Sequence, residues 1–187
     1  MGNPILPFDH NLVLPPHRGN PAAKSTDLSP YLCTTIELCS RFNTSPERRA
    51  ILGKFLDFRA RLTDIGLSTG FQWLDGSFME DVEQRENRAP NDLDVLTIYW
   101  GYDLQTQGAW FRKFPEVGDR NLAKANYSLD HIPVDAGFAP QLTVDSIRYW
   151  VQLFTHNRDG VWKGMVRVDL NTPELDIEAR KVLQTDK

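Results

Sequence analysis

The chain has 187 residues, of which 41% are hydrophobic and 25% charged, and its formal net charge at pH 7 is −4. This composition predicts one globular domain, and the acidic balance argues against a surface built to hold long nucleic acid, although a local basic patch would still serve a short one. No apolar run approaches the roughly 20 residues of a membrane span and no signal pattern opens the chain, so we expect a cytoplasmic protein without membrane contact.

A proline-rich arm is expected over residues 1–28, followed by a single domain over residues 29–187. Six of the twelve prolines lie within the first thirty residues, a composition that favours extended chain over helix. The arm is either disordered or a strap lying over the domain. Apolar residues such as Ile5 and Leu14 favour the strap.

The first predicted helix begins at Ser29-Pro30, a cap residue followed by proline at the first helical position. Apolar residues then recur at helical spacing: Leu32, Ile36, Cys39 and Phe42. The two cysteines, Cys33 and Cys39, are six residues apart and fall on different faces of this helix, which leaves neither a local disulfide nor a metal-ligand spacing. We therefore expect buried free thiols.

A second, longer helix is predicted from Ser45-Pro46 to Gly66. Its apolar stripe consists of Ile51, Phe55, Phe58, Leu62 and Ile65. Its opposite face is rich in basic residues: Arg48, Arg49, Lys54, Arg59 and Arg61. We interpret this face as solvated, and the alternative is that part of it forms a rim that binds an acceptor substrate.

Residues 71–100 organise the rest of the chain. They contain two apolar runs, 71–74 and 95–100, that are typical of buried strands. Asp92 and Asp94 directly precede the second run, and because alternate residues of a strand share a face, their carboxylates are expected side by side. Carboxylates at that spacing repel each other unless a cation lies between them, and hard oxygen ligands suit Mg²⁺ that carries substrate phosphates.

Gly76 and Ser77 follow the first of these runs. Glycine lets the backbone approach a phosphate closely, and the turn offers exposed N–H groups and a hydroxyl donor. A phosphate-binding turn beside two metal-binding carboxylates predicts metal-assisted phosphoryl or nucleotidyl transfer.

The segment between Ser77 and Asp92 is polar and has no apolar stripe, so we expect a short helix or an ordered loop that ends at Pro90. Arg85 and Arg88 would reach the triphosphate of a nucleotide from this segment. As exposed loop arginines, they are more often only solvent-facing.

Two short helices are predicted next, one around Trp110 that is broken at Pro115 and one from Arg120 to Tyr127. Lys113 and Lys124 in this region are free to contact phosphate, as any surface lysine would be.

Residues 131–138 have the pattern of a strand. Its apolar face consists of Ile132, Val134, Ala136 and Phe138, and Asp135 points the other way. Because Pro133 cannot donate to a ladder, this strand should lie at the edge of the sheet or begin after the proline. We assign Asp130, which precedes it, to a turn.

The last part of the chain is predicted as helix, turn, strand and helix. Thr143 is expected to cap the first helix. Its inner face consists of Val144, Ile147, Val151 and Phe154. A turn at 157–160 leads into a strand over 161–170, and a final helix runs from Pro173 to Gln184. Lys163 in that strand either meets a phosphate or pairs with a carboxylate.

The order Gly76-Ser77 then Asp92-x-Asp94 resembles the active-site signature of the polymerase β-like nucleotidyltransferase superfamily. Further segments are similar to a group of small, stand-alone bacterial proteins of that superfamily, most of them uncharacterised: GFQWLDGSF, NDLDV, VDAGF, YWVQLF and WKG.

The resemblance implies an α/β (α+β) fold, with a mixed sheet that carries the aspartates at one edge and helices on one face. It implies Mg²⁺, or Mn²⁺ in its place, as cofactor and a nucleoside triphosphate as substrate. The catalytic and metal-binding residues that it implies are Asp92, Asp94 and Asp135, with Asp169 as the rival for the third position. The implied phosphate-binding residues are Gly76, Ser77, Arg88 and Lys163.

The implied activity is transfer of a nucleoside monophosphate from an NTP or dNTP to a hydroxyl of a protein, a nucleic-acid end or another nucleotide. Small members of the superfamily resemble parts of toxin–antitoxin or phage-defence loci, and a partner protein or a homo-oligomer is a further expectation. The alternative is a non-catalytic nucleotide-binding module or antitoxin that acts by binding a partner protein. An Asp-x-Asp sugar transferase ranks last, because it needs neither the Gly-Ser turn nor a third aspartate.

Overall fold

The computed structural model describes residues 5–185 of the chain. The first four residues of the expected arm and the last two of the expected domain lie outside the described residues. The described helices are α1 (Thr35–Phe42), α2 (Pro46–Asp64), α3 (Val82–Glu86), α4 (Leu104–Lys113), α5 (Arg120–Tyr127), α6 (Pro140–Phe154) and α7 (Pro173–Gln184). The described strands are β1 (Tyr31–Leu32), β2 (Gly70–Asp75), β3 (Leu93–Tyr99), β4 (Leu129–Asp135) and β5 (Val166–Asp169). Short 3-10 turns lie at Ser25–Asp27, Ser77–Met79 and Pro115–Val117.

The five strands form one mixed sheet in the order β1-β5-β2-β3-β4. β2 is antiparallel to β3 and β5, whereas β3 is parallel to β4 and β1 is parallel to β5. The C-terminal end of β2 therefore lies beside the N-terminal ends of β3 and β4. We call this the acidic end of the sheet, because it carries Asp75, Asp92, Asp94 and Asp130. β4 is an edge strand, as Pro133 predicts.

Helices cover both faces of the sheet. On one face, side chains such as Val95 and Val166 join the large core formed with α1, α2 and α7. On the other face, Leu96 and Ile98 pack with Phe154 of α6 in a second, smaller core. The expectation of helices on one face was wrong. β3 is apolar on both sides, which is the pattern of a strand buried between two layers.

Several helices agree with the sequence pattern. Ser45 caps α2, because its hydroxyl accepts a hydrogen bond from the Arg48 N–H at 3.3 Å. Gly66, with φ of +81°, follows the end of that helix. The helix predicted around Trp110, the short helix after Ser77 and the bounds of α5 and α7 are also confirmed.

The predicted start of the first helix was wrong. Ser29-Pro30 precedes β1, and α1 begins after Thr34, which forms a capping box with Glu37. The two reciprocal hydrogen bonds of that box satisfy two backbone N–H groups at the start of the helix. A single cap side chain such as Ser29 would satisfy only one. Cys33 therefore lies between β1 and α1, and both cysteines are buried free thiols, as expected.

Two arginines of α2 are buried. Arg48 forms an ion pair with Glu83 at 2.6 Å and Arg59 with Asp176 at 2.8 Å, and both arginines are at most 2% exposed. The solvated interpretation of that face was wrong for these two residues. Their partners on α3 and α7 are distant in sequence, so the helical pattern alone carries no sign of them.

Residues 5–28 lie across the domain as a strap. Ile5, Val13 and Leu14 are buried, and Ile5 and Leu14 belong to the large core. The Leu14 N–H donates to the Met79 carbonyl at 3.0 Å. The strap and the domain therefore share one core.

α6 differs from the other helices, because a large part of its apolar surface is open. Val144 and Val151, predicted on its inner face, are 66% and 36% exposed. The helix begins at Pro140 after Ala139, so Thr143 does not cap it. No described helix, including α6, has both the length and the apolar character needed to cross a membrane.

Candidate active site at the acidic end of the sheet

β2 ends in the turn that carries Gly76 and Ser77. Gly76 has φ of +82°, and a β-carbon there would lie 2.7 Å from Oδ2 of Asp94. Glycine fits because it tolerates this backbone conformation and has no side chain. The Gly76 carbonyl accepts a hydrogen bond from the Met79 N–H at 3.1 Å. The turn therefore brings backbone directly against the Asp94 carboxylate.

Three aspartates occupy neighbouring positions across three strands. Asp75 pairs with Asp94 in the β2–β3 register, and Asp94 pairs with Asp130 in the β3–β4 register. Because adjacent strands are about 4.8 Å apart, these residues form a row at the end of the sheet. Asp92 lies two residues before Asp94, and its charge is close enough to raise the pKa of Asp94.

Asp94 is the central carboxylate of this row, and the nearby charges of Lys163 and Arg120 compensate it only in part. No hydrogen bond or ion pair joins its side chain to another residue within 5–185. Burial raises the pKa of Asp94 to about 6, and the charges of Asp130 and Asp92 act in the same direction. A mostly buried carboxylate between two others favours a bound cation, which lowers the cost of ionising it.

Lys163 lies beneath the turn rather than at the surface. Its Nζ donates to the Gly76 carbonyl and to Oε1 of Glu80, both at 2.9 Å, and lies 3.2 Å from Oδ2 of Asp75. These three acceptors engage all three ammonium protons, and the side chain is 2% exposed. Of the two roles expected for Lys163, contact with phosphate or pairing with a carboxylate, the structure shows the pairing. Lys163 thus positions the Gly76 turn.

The charges around Lys163 are closely coupled. Burial alone lowers the pKa of Lys163, but the Asp75 and Glu80 carboxylates outweigh it, so the net shift is upward. Burial raises the pKa of Asp75 to about 7, and Lys163 opposes that rise. Oδ1 of Asp75 is buried and has no hydrogen-bond partner in the described part of the chain.

The strap braces this network from outside. The Gly164 N–H donates to the Leu14 carbonyl at 2.6 Å, and a β-carbon on Gly164 would lie 2.3 Å from the Pro15 carbonyl oxygen. The Asp81 N–H donates to the Leu12 carbonyl at 2.8 Å. The strap therefore joins the segment after the turn to the segment that carries Lys163.

Two cations of α5 reach the acidic end. Arg120 donates from Nε and from a terminal nitrogen to the two carboxylate oxygens of Asp130. Nζ of Lys124 lies 2.6 Å from Oδ2 of Asp92. These pairs neutralise Asp130 and Asp92, the two aspartates whose charges raise the pKa of Asp94.

The arginines of the α3 segment pair locally. Arg85 bonds Glu80 at 2.6 Å and Glu86 at 2.5 Å, and Arg88 bonds Glu86 at 2.6 Å and the Ala89 carbonyl at 3.2 Å. The structure does not bring Arg88 into contact with the aspartates of the acidic end. Its predicted role at phosphate stays a prediction.

Asp135 lies at the opposite end of β4. It pairs with Tyr99 at the end of β3 and is five residues, about 16 Å, from Asp130. Its carboxylate accepts hydrogen bonds from Nε2 of Gln107 at 2.6 Å and from the Gly137 N–H at 2.8 Å. The expectation that Asp135 joins Asp92 and Asp94 was wrong. The parallel pairing of β3 and β4 places Asp130 there.

Asp169, the rival for the third position, is also far from the acidic end. It pairs with Phe71 near the start of β2, and its carboxylate lies 3.0 Å from Arg167.

A family model named DUF6932, described as a family of unknown function, matches residues 6–169. The chain belongs to this family. The matched span contains the Gly76 turn, all four aspartates of the acidic end and Lys163. No curated protein and no solved structure matches the chain.

Three residues of this candidate site have no predicted role in the sequence pattern, namely Asp75, Arg120 and Asp130. Asp130 is predicted in a turn, whereas it lies in β4 between Leu129 and His131, both of which are buried. Asp75 directly follows the apolar run 71–74 and has no predicted role. Arg120 was assigned to the right helix without a role, and its place four residues before Lys124 was the available signal.

The donor set at the acidic end suits a hard divalent cation. Within residues 5–185, no group of three His, Cys, Asp or Glu side chains is arranged as a ready metal site, and α5 cations hold two of the aspartates. Asp94, however, presents a carboxylate that no hydrogen bond or ion pair holds within residues 5–185, and carboxylate oxygens are the ligands that Mg²⁺ prefers. Asp94, with Asp92 and Asp130 beside it, is therefore the candidate donor set for such an ion.

Proposed function

We propose that this protein is a metal-dependent nucleotidyltransferase, with Asp92, Asp94 and Asp130 as its metal-binding carboxylates. The observation that carries the proposal is Asp94, a partly buried carboxylate with a raised pKa and no hydrogen bond or ion pair within residues 5–185, against which the Gly76 backbone packs. A carboxylate row beside a glycine turn suits a phosphate group that shares a divalent cation with the protein.

The sheet topology supports the same proposal. A strand ending in Gly-Ser is antiparallel to the Asp-x-Asp strand, and the strand carrying the third aspartate is parallel to it. This arrangement resembles the polymerase β-like nucleotidyltransferase fold, which we propose for the chain. In this form the proposal replaces Asp135 with Asp130.

Each residue has a distinct role in the proposed reaction. Mg²⁺, when bound, would lower the pKa of the acceptor hydroxyl and offset charge on the attacking and leaving oxygens. Asp94 lies between Asp92 and Asp130 and would hold the ion. The backbone at Gly76 and the Ser77 hydroxyl would bind the phosphates of the nucleoside triphosphate. Lys163 holds the Gly76 carbonyl, which fixes the position of that turn.

The substrates include a nucleoside triphosphate and a hydroxyl acceptor on a protein, a nucleic-acid end or a nucleotide. A cytoplasmic location, where these substrates occur, is part of the proposal. A partner protein or a second copy of the chain is also proposed, because α6 exposes Leu142, Tyr149 and Leu153.

The test is incubation of the purified protein with each α-labelled NTP and dNTP plus Mg²⁺, followed by separation of labelled protein, oligonucleotide and nucleotide. We expect label transfer by the wild type and by Asp135→Asn, and none by Asp94→Asn or Asp130→Asn. Turnover by Asp94→Asn would refute the proposal. Equal loss in Asp130→Asn and Asp135→Asn would refute the assignment of Asp130 as the third carboxylate.

A non-catalytic nucleotide-binding module is the second candidate. It is favoured by one observation, namely that α5 cations already neutralise Asp130 and Asp92. In the same assay such a module would transfer no label, while a nucleotide with Mg²⁺ would raise its melting temperature.

A further inference from the structure

α5 presents two cations to the acidic end from one side of the helix. Arg120 and Lys124 are four residues apart, so their side chains lie on the same face of α5. Arg120 holds Asp130 through both carboxylate oxygens, and Lys124 holds Oδ2 of Asp92. Each cation thus engages an aspartate on one side of Asp94.

These ion pairs contribute little to the stability of the fold. Arg120 and Lys124 are 59% and 56% exposed, and exposed pairs of this kind are typically worth about 0–1 kcal/mol. α5 is already held by the buried Ala123 and by Asp119, which caps the helix. The buried cations Arg59 and Lys163, in contrast, join distant parts of the core. The α5 cations therefore call for an explanation other than packing.

The two cations lie where a metal ion and a phosphate chain would also lie. Asp130 and Asp92 are the carboxylates that flank Asp94, and their oxygens now accept hydrogen bonds from Arg120 and Lys124. A divalent cation at the same carboxylates would be repelled by both side chains. Phosphate oxygens would attract both, because guanidinium and ammonium groups bind phosphate through charge-assisted hydrogen bonds.

Both side chains can change partners without disturbing the core. They are long and mostly exposed, and only their tips contact the aspartates. Their hydrogen bonds to Asp130 and Asp92 raise the pKa of Arg120 and of Lys124, so both stay charged at neutral pH. The charge is therefore available to a phosphate as soon as the carboxylates bind something else.

We infer that Arg120 and Lys124 form an exchangeable clamp for the phosphates of a nucleoside triphosphate. Without nucleotide, they hold Asp130 and Asp92 and oppose the binding of a lone divalent cation. When the cation arrives with the triphosphate, the carboxylates hold the cation and the two α5 side chains bind phosphate oxygens. Metal and nucleotide thus bind as a coupled pair. This inference rests on the proposed function of the acidic end.

The test compares Mn²⁺ binding alone with binding of a non-hydrolysable nucleoside triphosphate analogue in the presence of Mn²⁺. The variants are Arg120→Gln, Lys124→Gln and the double variant. Lys113→Gln on α4 is the matched control, because it removes one exposed positive charge outside the acidic end. Melting temperatures of all variants report whether the fold is intact.

We expect the two affinities to move in opposite directions. The double variant should bind Mn²⁺ alone roughly threefold more tightly or better, because no ion pair has to be displaced. It should bind the analogue roughly tenfold more weakly or worse, because charge-assisted hydrogen bonds to phosphate are lost. Lys124→Arg keeps the positive charge and should retain most of the nucleotide affinity that Lys124→Gln loses. Lys113→Gln should change neither the affinity for Mn²⁺ alone nor the affinity for the analogue.

Other outcomes overturn the inference in distinguishable ways. If both affinities fall together in variants with unchanged melting temperatures, the cations support the carboxylates and do not exchange. If neither affinity changes, α5 has no part in binding. If the wild type binds neither Mn²⁺ nor the analogue, the proposed function itself fails, and the clamp falls with it.

Discussion

The two ends of the β3–β4 strand pair both carry aspartates, but these aspartates differ in what holds them. At one end, Asp135 accepts hydrogen bonds from Gln107 and Gly137. It lines a cleft of about 420 Å³ whose walls include the apolar Leu104 and Phe138. Its polar atoms are satisfied by the protein itself, so it fits a role in local structure.

At the acidic end, Asp94 has no such partners, and its pKa is raised to about 6. The carboxylates of Asp92 and Asp130 repel that of Asp94, and the fold tolerates this repulsion beside the Gly76 turn, which has no room for a side chain. The proposed site therefore rests on Asp94, which no hydrogen bond or ion pair holds within residues 5–185, and not on Asp135.

The largest effect is expected from the cation beneath the acidic end. Lys163→Met would leave the buried Asp75 and Glu80 without their shared partner, and breaking a buried ion pair typically costs about 3–5 kcal/mol. Denaturant unfolding measures the loss. Lys181→Met, which breaks the exposed pair with Glu178, should cost less than about 1 kcal/mol. Similar losses in both variants would contradict the structural role of Lys163.

A smaller difference in unfolding free energy is expected between substitutions of two glycines. Gly76 lies beside the N-terminal end of β3, and Gly101 follows its C-terminal end. Gly76 and Gly101 both have positive φ, but only the β-carbon at position 76 meets Asp94, whereas position 101 has open space. Gly76→Ala should destabilise by about 2–4 kcal/mol and Gly101→Ala by about 1–2 kcal/mol.

The double variant Gly76→Ala/Asp94→Ala sharpens this result. Removing the Asp94 side chain removes the clash, so the cost of Gly76→Ala should fall to that of Gly101→Ala in unfolding experiments. An unchanged cost in the Asp94→Ala background would contradict the close approach of turn and carboxylate.

The smallest effect is the pH dependence of stability. Because the folded-state pKa of Asp94 is raised above its unfolded value, the folded form takes up a proton more readily. This group's contribution to the unfolding free energy therefore falls as pH rises from about 4 through about 6. Asp94→Asn removes that penalty and should be about 1–3 kcal/mol more stable than the wild type at pH 8. A gap that does not widen between pH 4 and pH 7 in denaturant titrations would contradict the raised pKa.

Much of the acidic end follows from local sequence. The apolar run before Gly76 and the run after Asp94 predict the two strands, and Asp-Leu-Asp places two carboxylates on one face. Glycine followed by serine predicts a turn that approaches a phosphate. These signals each occupy a few neighbouring residues, which is why the sequence alone carries them.

The placement of Asp130 rather than Asp135 beside Asp94 depends on information that local sequence does not carry. Had β4 run antiparallel to β3, its C-terminal end and Asp135 would lie near Asp94. The observed parallel pairing brings the N-terminal end and Asp130 there instead. Strand direction depends on the connection through α4 and α5, and the residue pattern of β4 is the same either way.

The partners of the buried cations were not identifiable from the sequence for a related reason. Lys163 bonds Gly76 and Glu80, which lie more than eighty residues earlier. Arg59 likewise finds Asp176 across the core. A basic residue on a helix or strand looks solvated until the fold supplies its partner, so burial of such a charge follows only from the tertiary structure.

The most direct test of the central claim is the number of Mn²⁺ ions bound in the presence of a non-hydrolysable nucleoside triphosphate analogue, measured by electron paramagnetic resonance. The wild type and Asp135→Asn should bind nucleotide-dependent Mn²⁺ equally. In Asp94→Asn, the affinity for this Mn²⁺ should fall by more than the roughly 10–100-fold that loss of an outer-shell partner costs. Retained binding in Asp94→Asn, or loss confined to Asp135→Asn, would contradict a ligand site at the acidic end.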